Sequence, residues 1–404
     1  MRALMGRTLR ILAADDSAVM RGIMRNLFAA HTEDRSSELP RMELCGVARD
    51  GMECLEAVKE LQPDVLVLDL EMPRLNGLDV LERLQREGPG LPVIMCSSHT
   101  EHGARSTLEA LARGASDYVM KPSAQRNFAE ALQSLSMQLL PKIAALAKGA
   151  VRREREAGDR TQNSFRGSSV DGRSRSSASV ELIVIGLSTG GPSALENLLP
   201  KLPRDFAVPI LIVQHMPKLF TGALAERLDK CCALSVEEAY DDAVIRPGEV
   251  WLAPGNTHME VAPRRAMPGD PEGLRSSRIR LHQQEPLNHC RPSVDYLFHS
   301  AARVYGAGAL GLMMTGMGAD GLEGARAIHQ RGGVMLAQDE ATSAVWGMPG
   351  RVSEAGIASA TLPLWALAGE LEQRVSAGRA MRPKPELHPT DALHMRREVI
   401  HGLY

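Results

Sequence analysis

Twice along this chain, short β-type apolar runs alternate with amphipathic stretches, and between the two series lies a Ser/Arg/Gly tract with almost nothing to bury. Strands separated by a helical pattern cannot close as hairpins, so each series demands a parallel sheet covered by helices. At 404 residues the chain also exceeds what one hydrophobic core usually supports. The expectation is an α/β protein of two doubly wound parallel-sheet domains joined by a flexible linker.

The first series places strands at Leu9 to Ala14, Met42 to Ala48, Val65 to Leu70, Pro92 to Ser97 and Asp117 to Met120. Helical patterns fill the gaps: between Asp50 and Leu61, Met52, Leu55, Val58 and Leu61 recur at three-residue spacing. An apolar helical stretch from about Phe128 to Ala147 follows, then Arg152-Arg153-Glu154-Arg155-Glu156 and the polar tract ending near Ser179, read as a mobile linker. Its arginines serve as a solvating feature or as a binding patch.

The second series opens at Glu181. Strands are expected at Leu182 to Ile185, Ile210 to Val213, Ala309 to Met314 and Gly333 to Ala337, with helices at Ser193 to Leu202 and Asp320 to Arg331. The Pro- and Gly-rich stretch Pro247 to Arg280 reads as antiparallel hairpins added to the parallel sheet. The resulting division is residues 8–125, 126–180 for a helical extension and linker, 181–375, and 376–404 for a disordered tail.

Charge and cysteine usage narrow the partners. With 47 Lys+Arg against 49 Asp+Glu, nothing in the balance calls for nucleic acid or an anionic membrane. The six cysteines form no CxxC pair and no zinc-site spacing, so they read as reduced thiols. No apolar segment of signal-peptide length precedes Asp15, and the apolar runs are too short to span a bilayer. A cytoplasmic protein without membrane insertion is expected.

In an open parallel sheet, chemistry collects at the carboxyl ends of the strands. In the first series that edge carries Asp15, Asp16, Asp69, Ser97 and Lys121. Taken singly, each carboxylate could be a helix cap or a turn residue. Together they repel one another unless a hard cation such as Mg²⁺ lies among Asp15, Asp16 and Asp69. Asp69 would then accept a phosphoryl group, with Lys121 pairing its oxygens and the Ser97 hydroxyl donating to one of them.

In the second series, Gly186-Leu187-Ser188-Thr189-Gly190-Gly191-Pro192 has the form G-x-S-x-G between a buried strand and a helix, and sets Ser188 near the positive end of that helix. A Gly-rich phosphate turn and an ordinary tight turn remain alternatives. The dinucleotide version predicts an acidic residue ending the next strand, where Gln214-His215 stands instead. His215 suits a general base, and Asp320, beyond the strand ending at Met314, suits the carboxylate that orients it. Asp320 could also cap the following helix, and the two roles can hold together. The order Ser, His, Asp differs from that of the α/β-hydrolases and points to convergence.

The first half resembles the receiver domain of response regulators, a flavodoxin-like fold, through Asp15-Asp16-Ser17, Val67-Leu68-Asp69-Leu70-Glu71-Met72-Pro73 with Gly77, and Lys121-Pro122. Ser97 stands where many members have Thr. The second half resembles the catalytic domain of the chemotaxis methylesterases of the CheB family. That resemblance rests on the Ser188 motif, Gln214-His215-Met216-Pro217, Leu252-Ala253-Pro254-Gly255, Arg291-Pro292-Ser293-Val294-Asp295, Thr315-Gly316-Met317-Gly318-Ala319-Asp320-Gly321 and Gln338-Asp339-Glu340.

The resemblance implies hydrolysis of glutamate γ-methyl esters on chemoreceptors, with deamidation of receptor glutamines as a second activity in some members. It implies Ser188 as nucleophile, His215 as base and Asp320 as orienting acid, with Thr189 beside the nucleophile and the Met317 N–H in an oxyanion hole. Ester hydrolysis would need no cofactor. A histidine kinase would phosphorylate Asp69 and relieve obstruction of the active-site face by the receiver. Arg291 would either contact the acidic receptor helix or brace its own loop. Two other readings stay open: a phosphorylation-controlled binding module with an inactive hydrolase half, and the same esterase acting on a receptor-like target outside chemotaxis, with specificity in loops such as Pro263 to Arg275.

Overall fold

The computed structural model describes residues 7–34, 36–88, 90–122, 127–159, 179–263 and 277–380. Its first unit runs β1 (Leu9–Ala14), α1 (Ala18–Glu33), β2 (Met42–Ala48), α2 (Gly51–Leu61), β3 (Val65–Asp69), α3 (Gly77–Glu87), β4 (Val93–Ser97), α4 (Glu101–Ala112), β5 (Asp117–Met120) and α5 (Phe128–Asp159). The five strands are parallel in the order β2-β1-β3-β4-β5. Strand order reverses between β1 and β3, and Ala14 pairs with Leu68 there, so Asp15 and Asp69 leave the sheet side by side.

Helix ends follow local chemistry. Ser17 caps α1, Asp50 accepts from Met52 and Glu53 at the start of α2, and Asn76 accepts from Asp79 in α3. Gly77 tolerates no side chain, because a Cβ there would collide with the Asp69 carbonyl oxygen. Replacing Gly77 by alanine is therefore expected to destabilise the first unit by about 1–3 kcal/mol, read as a lower urea midpoint. An unchanged midpoint would contradict that packing.

The second unit contains β6 (Leu182–Leu187), α6 (Gly191–Leu198), β7 (Ile210–Gln214), α7 (Lys218–Cys231), β8 (Ser235–Glu238), β9 (Glu249–Leu252), β10 (His258–Pro263) and β11 (Ser277–His282). It continues with α8 (Val294–Tyr305), β12 (Ala309–Met313), α9 (Leu322–Gln330), β13 (Val334–Gln338), α10 (Met348–Glu354), β14 (Ala360–Leu362) and α11 (Leu364–Ala380). Seven strands form one parallel sheet in the order β14-β13-β12-β6-β7-β9-β8. The chain leaves β6 toward β7 and later returns to its other side as β12, which makes the β6 edge the switch point.

Several boundaries differ from the sequence reading. Helix α5 runs on to Asp159, so the Arg152 to Glu156 run is helical; Arg and Glu are good helix formers, and their charge obscured this. Residues 160–178, the rest of the expected linker, lie outside the described residues, as do 264–275 of the loop considered for specificity. Helix α11 extends to Ala380, past the expected start of the tail at 376, and 381–404 lie outside the described residues. Among the described residues only β10 and β11 form the expected antiparallel hairpin, whereas β9 joins the parallel sheet between β7 and β8.

The two units share an apolar interface. Tyr118 of β5 stacks on Phe220 of α7 with ring centroids 4.6 Å apart, and both side chains are buried in a cluster that crosses the boundary. At its rim Arg105 of α4 lies 3.5 Å from Glu226 of α7. Among the described residues no helix is long and apolar enough to cross a membrane.

Candidate active site and phosphoacceptor pocket

Register alone brings Ser188 and His215 to one edge. Leu187 pairs with Gln214 across β6 and β7, so the next residue of each strand emerges at the same height. On the other side of β6, Gly186 pairs with Met313, which delivers the loop carrying Thr315 to Asp320. Ser188 N–H donates to Thr315 O at 3.0 Å, and Gln214 Nε2 donates to Ser188 O at 2.9 Å. Gly190, in the left-handed region at φ 77°, turns the chain into α6, with Pro192 in the first helical turn.

His215 Nε2 lies 2.8 Å from Asp320 Oδ2, joining residues 105 apart in the chain. Asp320 is buried and fully engaged. Its Oδ2 also accepts from Val294 N–H at 2.7 Å, and its Oδ1 accepts from Ser293 Oγ at 2.7 Å and Asn288 Nδ2 at 3.1 Å. Burial alone would raise its pKa, yet the hydrogen bonds from His215, Ser293 and Val294 prevail and hold it below the usual carboxylate range. For His215 burial alone would lower the pKa; the Asp320 hydrogen bond outweighs that, assisted by Cys290, and the imidazole is held well above its ordinary value.

With Asp320 on Nε2, the nitrogen left for other work is Nδ1, the reverse of the trypsin-type triad. Among the described residues Ser188 Oγ makes no hydrogen bond to the ring; Nδ1 faces Cys290 Sγ at 3.7 Å. A serine–histidine bond that tightens only with substrate is common in such sites. Beside Ser188, Gly316 permits close approach, since a Cβ there would stand 2.9 Å from Ser188 Cβ. The exposed Met317 follows, and among the described residues its backbone N–H donates to no protein acceptor.

Some sequence-derived roles change. Asp320 does not cap α9, whose N-cap is Gly321 at φ 89°; its carboxylate is committed to His215, Ser293, Val294 and Asn288 instead. Arg291 braces its loop through Asn256 Oδ1 at 2.9 Å and the carbonyls of Gln283 and Gln284. Thr189 is not free beside the nucleophile: its hydroxyl donates to Asp117 Oδ2 of the first unit at 2.7 Å, in a buried contact. Asp117 also pairs with Lys142 Nζ of α5 at 2.9 Å. Sequence reasoning missed Asp117, Gln214, Asn288 and Cys290.

In the first unit the carboxylate oxygens of Asp15, Asp16 and Asp69 lie within 4.8 Å of one another. Lys121 Nζ reaches Asp15 at 2.9 Å and Asp69 at 2.7 Å. Burial, then the neighbouring Asp15 charge, push the Asp69 pKa up to about 6 despite Lys121, so the pocket holds more negative charge than one ammonium balances. An all-carboxylate donor set with surplus charge fits a hard divalent ion. Ser97, the residue that ends β4 beside this pocket, is held by α4 in this state. Its hydroxyl contacts the Gly103 carbonyl at 3.3 Å and accepts from Thr107 Oγ1 at 2.7 Å, so it is tied to α4 and not to Asp69.

Fold and geometry together define a two-part α/β chain: a five-stranded unit with an acidic pocket and a lysine at its strand ends, and a parallel-sheet unit presenting a serine, histidine and aspartate at its switch point. Residues 11–133 match the response regulator receiver domain model, and residues 183–371 match that of the CheB methylesterase. The chain belongs to the CheB methylesterase family. A protein-glutamate methylesterase/protein-glutamine glutaminase of Trichodesmium erythraeum is 42% identical to it, covering 91% of this chain and 99% of that protein. One of the same description from a Nocardioides species is 40% identical, covering 95% of this chain and 99% of that one. The crystal structure of the Thermotoga maritima CheB methylesterase catalytic domain is 38% identical and covers 48% of this chain and 99% of its own, with a TM-score of 0.45.

Proposed function

We propose that this chain hydrolyses glutamate γ-methyl esters on the cytoplasmic helices of chemoreceptors, under control of phosphorylation at Asp69 by a histidine kinase. The observation that carries the chemistry is the His215–Asp320 hydrogen bond at the strand edge where Ser188 emerges. The relatives' names supply the substrate class. Ser188 Oγ attacks the ester carbonyl while His215 Nδ1 accepts its proton, and the imidazolium so formed is stabilised by Asp320. The tetrahedral oxyanion is met by backbone donors, the Met317 N–H among them, near the N-terminus of α6. His215 then returns its proton to the leaving methoxide, releasing methanol, and water hydrolyses the acyl-serine by the same route. A glutamine side chain would yield ammonia by these steps, which matches the second activity in the relatives' names. The test is methanol release from methylated receptor membranes.

Asp15, Asp16 and Asp69 would hold Mg²⁺. When bound, the ion neutralises charge between the phosphoryl donor and the acceptor carboxylate. Lys121, already against Asp69, would pair with the transferred phosphoryl oxygens. Replacing Asp69 by asparagine should abolish stimulation by a small phosphodonor while leaving basal hydrolysis intact; full stimulation in that variant would rule out this control.

The described domain contact supports a closed resting state. Asp117 engages the residue next to Ser188, and α4 lies against the second unit through Ser193 Oγ, which donates to Leu111 O at 2.9 Å. Turning Ser97 from α4 toward a phosphoryl group would give up its contacts with Gly103 and Thr107 and loosen that helix. A charge-assisted hydrogen bond contributes about 1.5–3 kcal/mol, so Asp117→Ala should shift the closed–open balance roughly ten- to hundredfold toward open. The readout is basal methanol release without phosphodonor, and a rate equal to or below wild type would count against the closed-state account.

A further inference from the structure

We propose that Cys290 and His215 form an inhibitory site for a thiophilic divalent cation of the zinc class. The inference deepens the esterase reading and rests on it only for the word inhibitory. Cys290 Sγ stands 3.7 Å from His215 Nδ1. In a tetrahedral zinc centre with Zn–S about 2.3 Å and Zn–N about 2.0–2.1 Å, sulfur and nitrogen ligands lie about 3.6 Å apart. The pair is therefore already at ligand spacing.

Orientation supports the same conclusion. In the neutral imidazole, Nε2–H donates to Asp320 at 2.8 Å and the Nδ1 lone pair is left facing the thiol. A histidine whose far nitrogen is held by a carboxylate is the usual form of a zinc-binding imidazole, because that partner sets the tautomer and raises basicity. Asp320 itself has its oxygens engaged by four donors and acts as the orienting partner, although its donor atoms lie within 4.8 Å of those of His215 and Cys290.

The turn that delivers the thiol is anchored. Leu287 and Cys290 exchange backbone hydrogen bonds at 3.2 and 2.9 Å, with Asn288 and His289 between them at φ 53° and 62°. Asn288 Nδ2 ties this turn to Asp295 and Asp320 at 2.9 and 3.1 Å. Cys290 is half-buried, and without metal its thiol contacts the Asn288 carbonyl at 3.4 Å. Binding would exchange the thiol proton, released to solvent, for a metal–sulfur bond, with water in the remaining positions. The metal would occupy the lone pair that must accept the Ser188 proton. Mg²⁺, which prefers oxygen ligands, would go to the receiver carboxylates instead.

Cobalt(II) added to the full-length protein in excess Mg²⁺ tests this directly, since thiolate ligation produces a near-ultraviolet charge-transfer band that carboxylate or imidazole sites do not. The band is expected in wild type and in a Cys231→Ser/Cys232→Ser variant, and should vanish in Cys290→Ser and Cys290→Ala. Its absence from wild type, or persistence in both Cys290 variants, would overturn the site. In the second arm, half inhibition of each protein's own metal-free ester hydrolysis should need at least tenfold more Zn²⁺ in Cys290→Ser than in wild type; equal sensitivity would overturn the inhibitory role. A band that behaves as expected in a protein without any hydrolysis would locate the failure in the esterase reading, because the spectrum needs no substrate.

Discussion

Replacing Ser188 by alanine is expected to reduce methanol release by several orders of magnitude, on the order of 10⁶ in kcat if the triad acts as a unit. Without the hydroxyl no acyl-serine forms, and His215 has no nucleophile to deprotonate. What remains is whatever backbone donors and binding contribute on their own, typically about 10³–10⁴ over water. The fold should be untouched. Ser188 is half-buried, its hydroxyl makes no hydrogen bond among the described residues, and its backbone bonds to Thr315 and Gly191 do not depend on the side chain. Such a loss of one polar atom falls within about 0.5 kcal/mol of stability. Wild-type methanol release from a correctly folded Ser188→Ala protein would remove Ser188 as the nucleophile.

The second large effect is expected at Asp320. Asparagine preserves the shape but cannot stabilise an imidazolium, and its amide, placed toward Nε2, imposes the wrong tautomer. A fall of about 10⁴ in kcat follows from comparable triads. The pH profile should separate this from simple misfolding. Asp320 holds the His215 pKa above its ordinary value, so removing the charge lowers it, and the rising limb of kcat against pH should move to lower pH while the plateau drops. A reduced plateau with an unmoved limb would mean that Asp320 does not set the protonation of His215. Ser293→Ala removes one of four donors but leaves the Asp320 charge in place, so it should cost far less rate.

Much of the fold was legible because parallel α/β architecture is written in local pattern. Val65 to Asp69 and Leu182 to Leu187 are entirely buried strands and read as unbroken apolar runs, with their chemistry at the residue where the run stops. Asp69, Ser188 and His215 could be picked out for that reason. The misreadings have equally local causes. Charged residues from Arg152 to Glu156 suit a solvated linker and an exposed helix alike, and composition cannot separate the two. Glu249 to Leu252 sits among prolines and glycines that suggest hairpins, yet it pairs in parallel with β7 and β8, which only the completed sheet could reveal.

The site divides along the same line. By itself, the sequence determined which groups stand at strand ends, hence the serine, the histidine, the acidic pocket and its lysine, because a strand's end is a property of its own few residues. Tertiary structure alone decided what those groups touch. It placed Asp320 against His215 through Nε2, and surrounded it with Ser293, Val294 and Asn288. It turned Ser97 toward α4, joined Thr189 to Asp117 across the domain boundary, and set Cys290 over Nδ1. These contacts link residues from 10 to 105 positions apart and leave no periodicity in the chain. Their distances depend on sheet register, loop conformation and domain packing together, which are settled only when the whole apolar surface is buried.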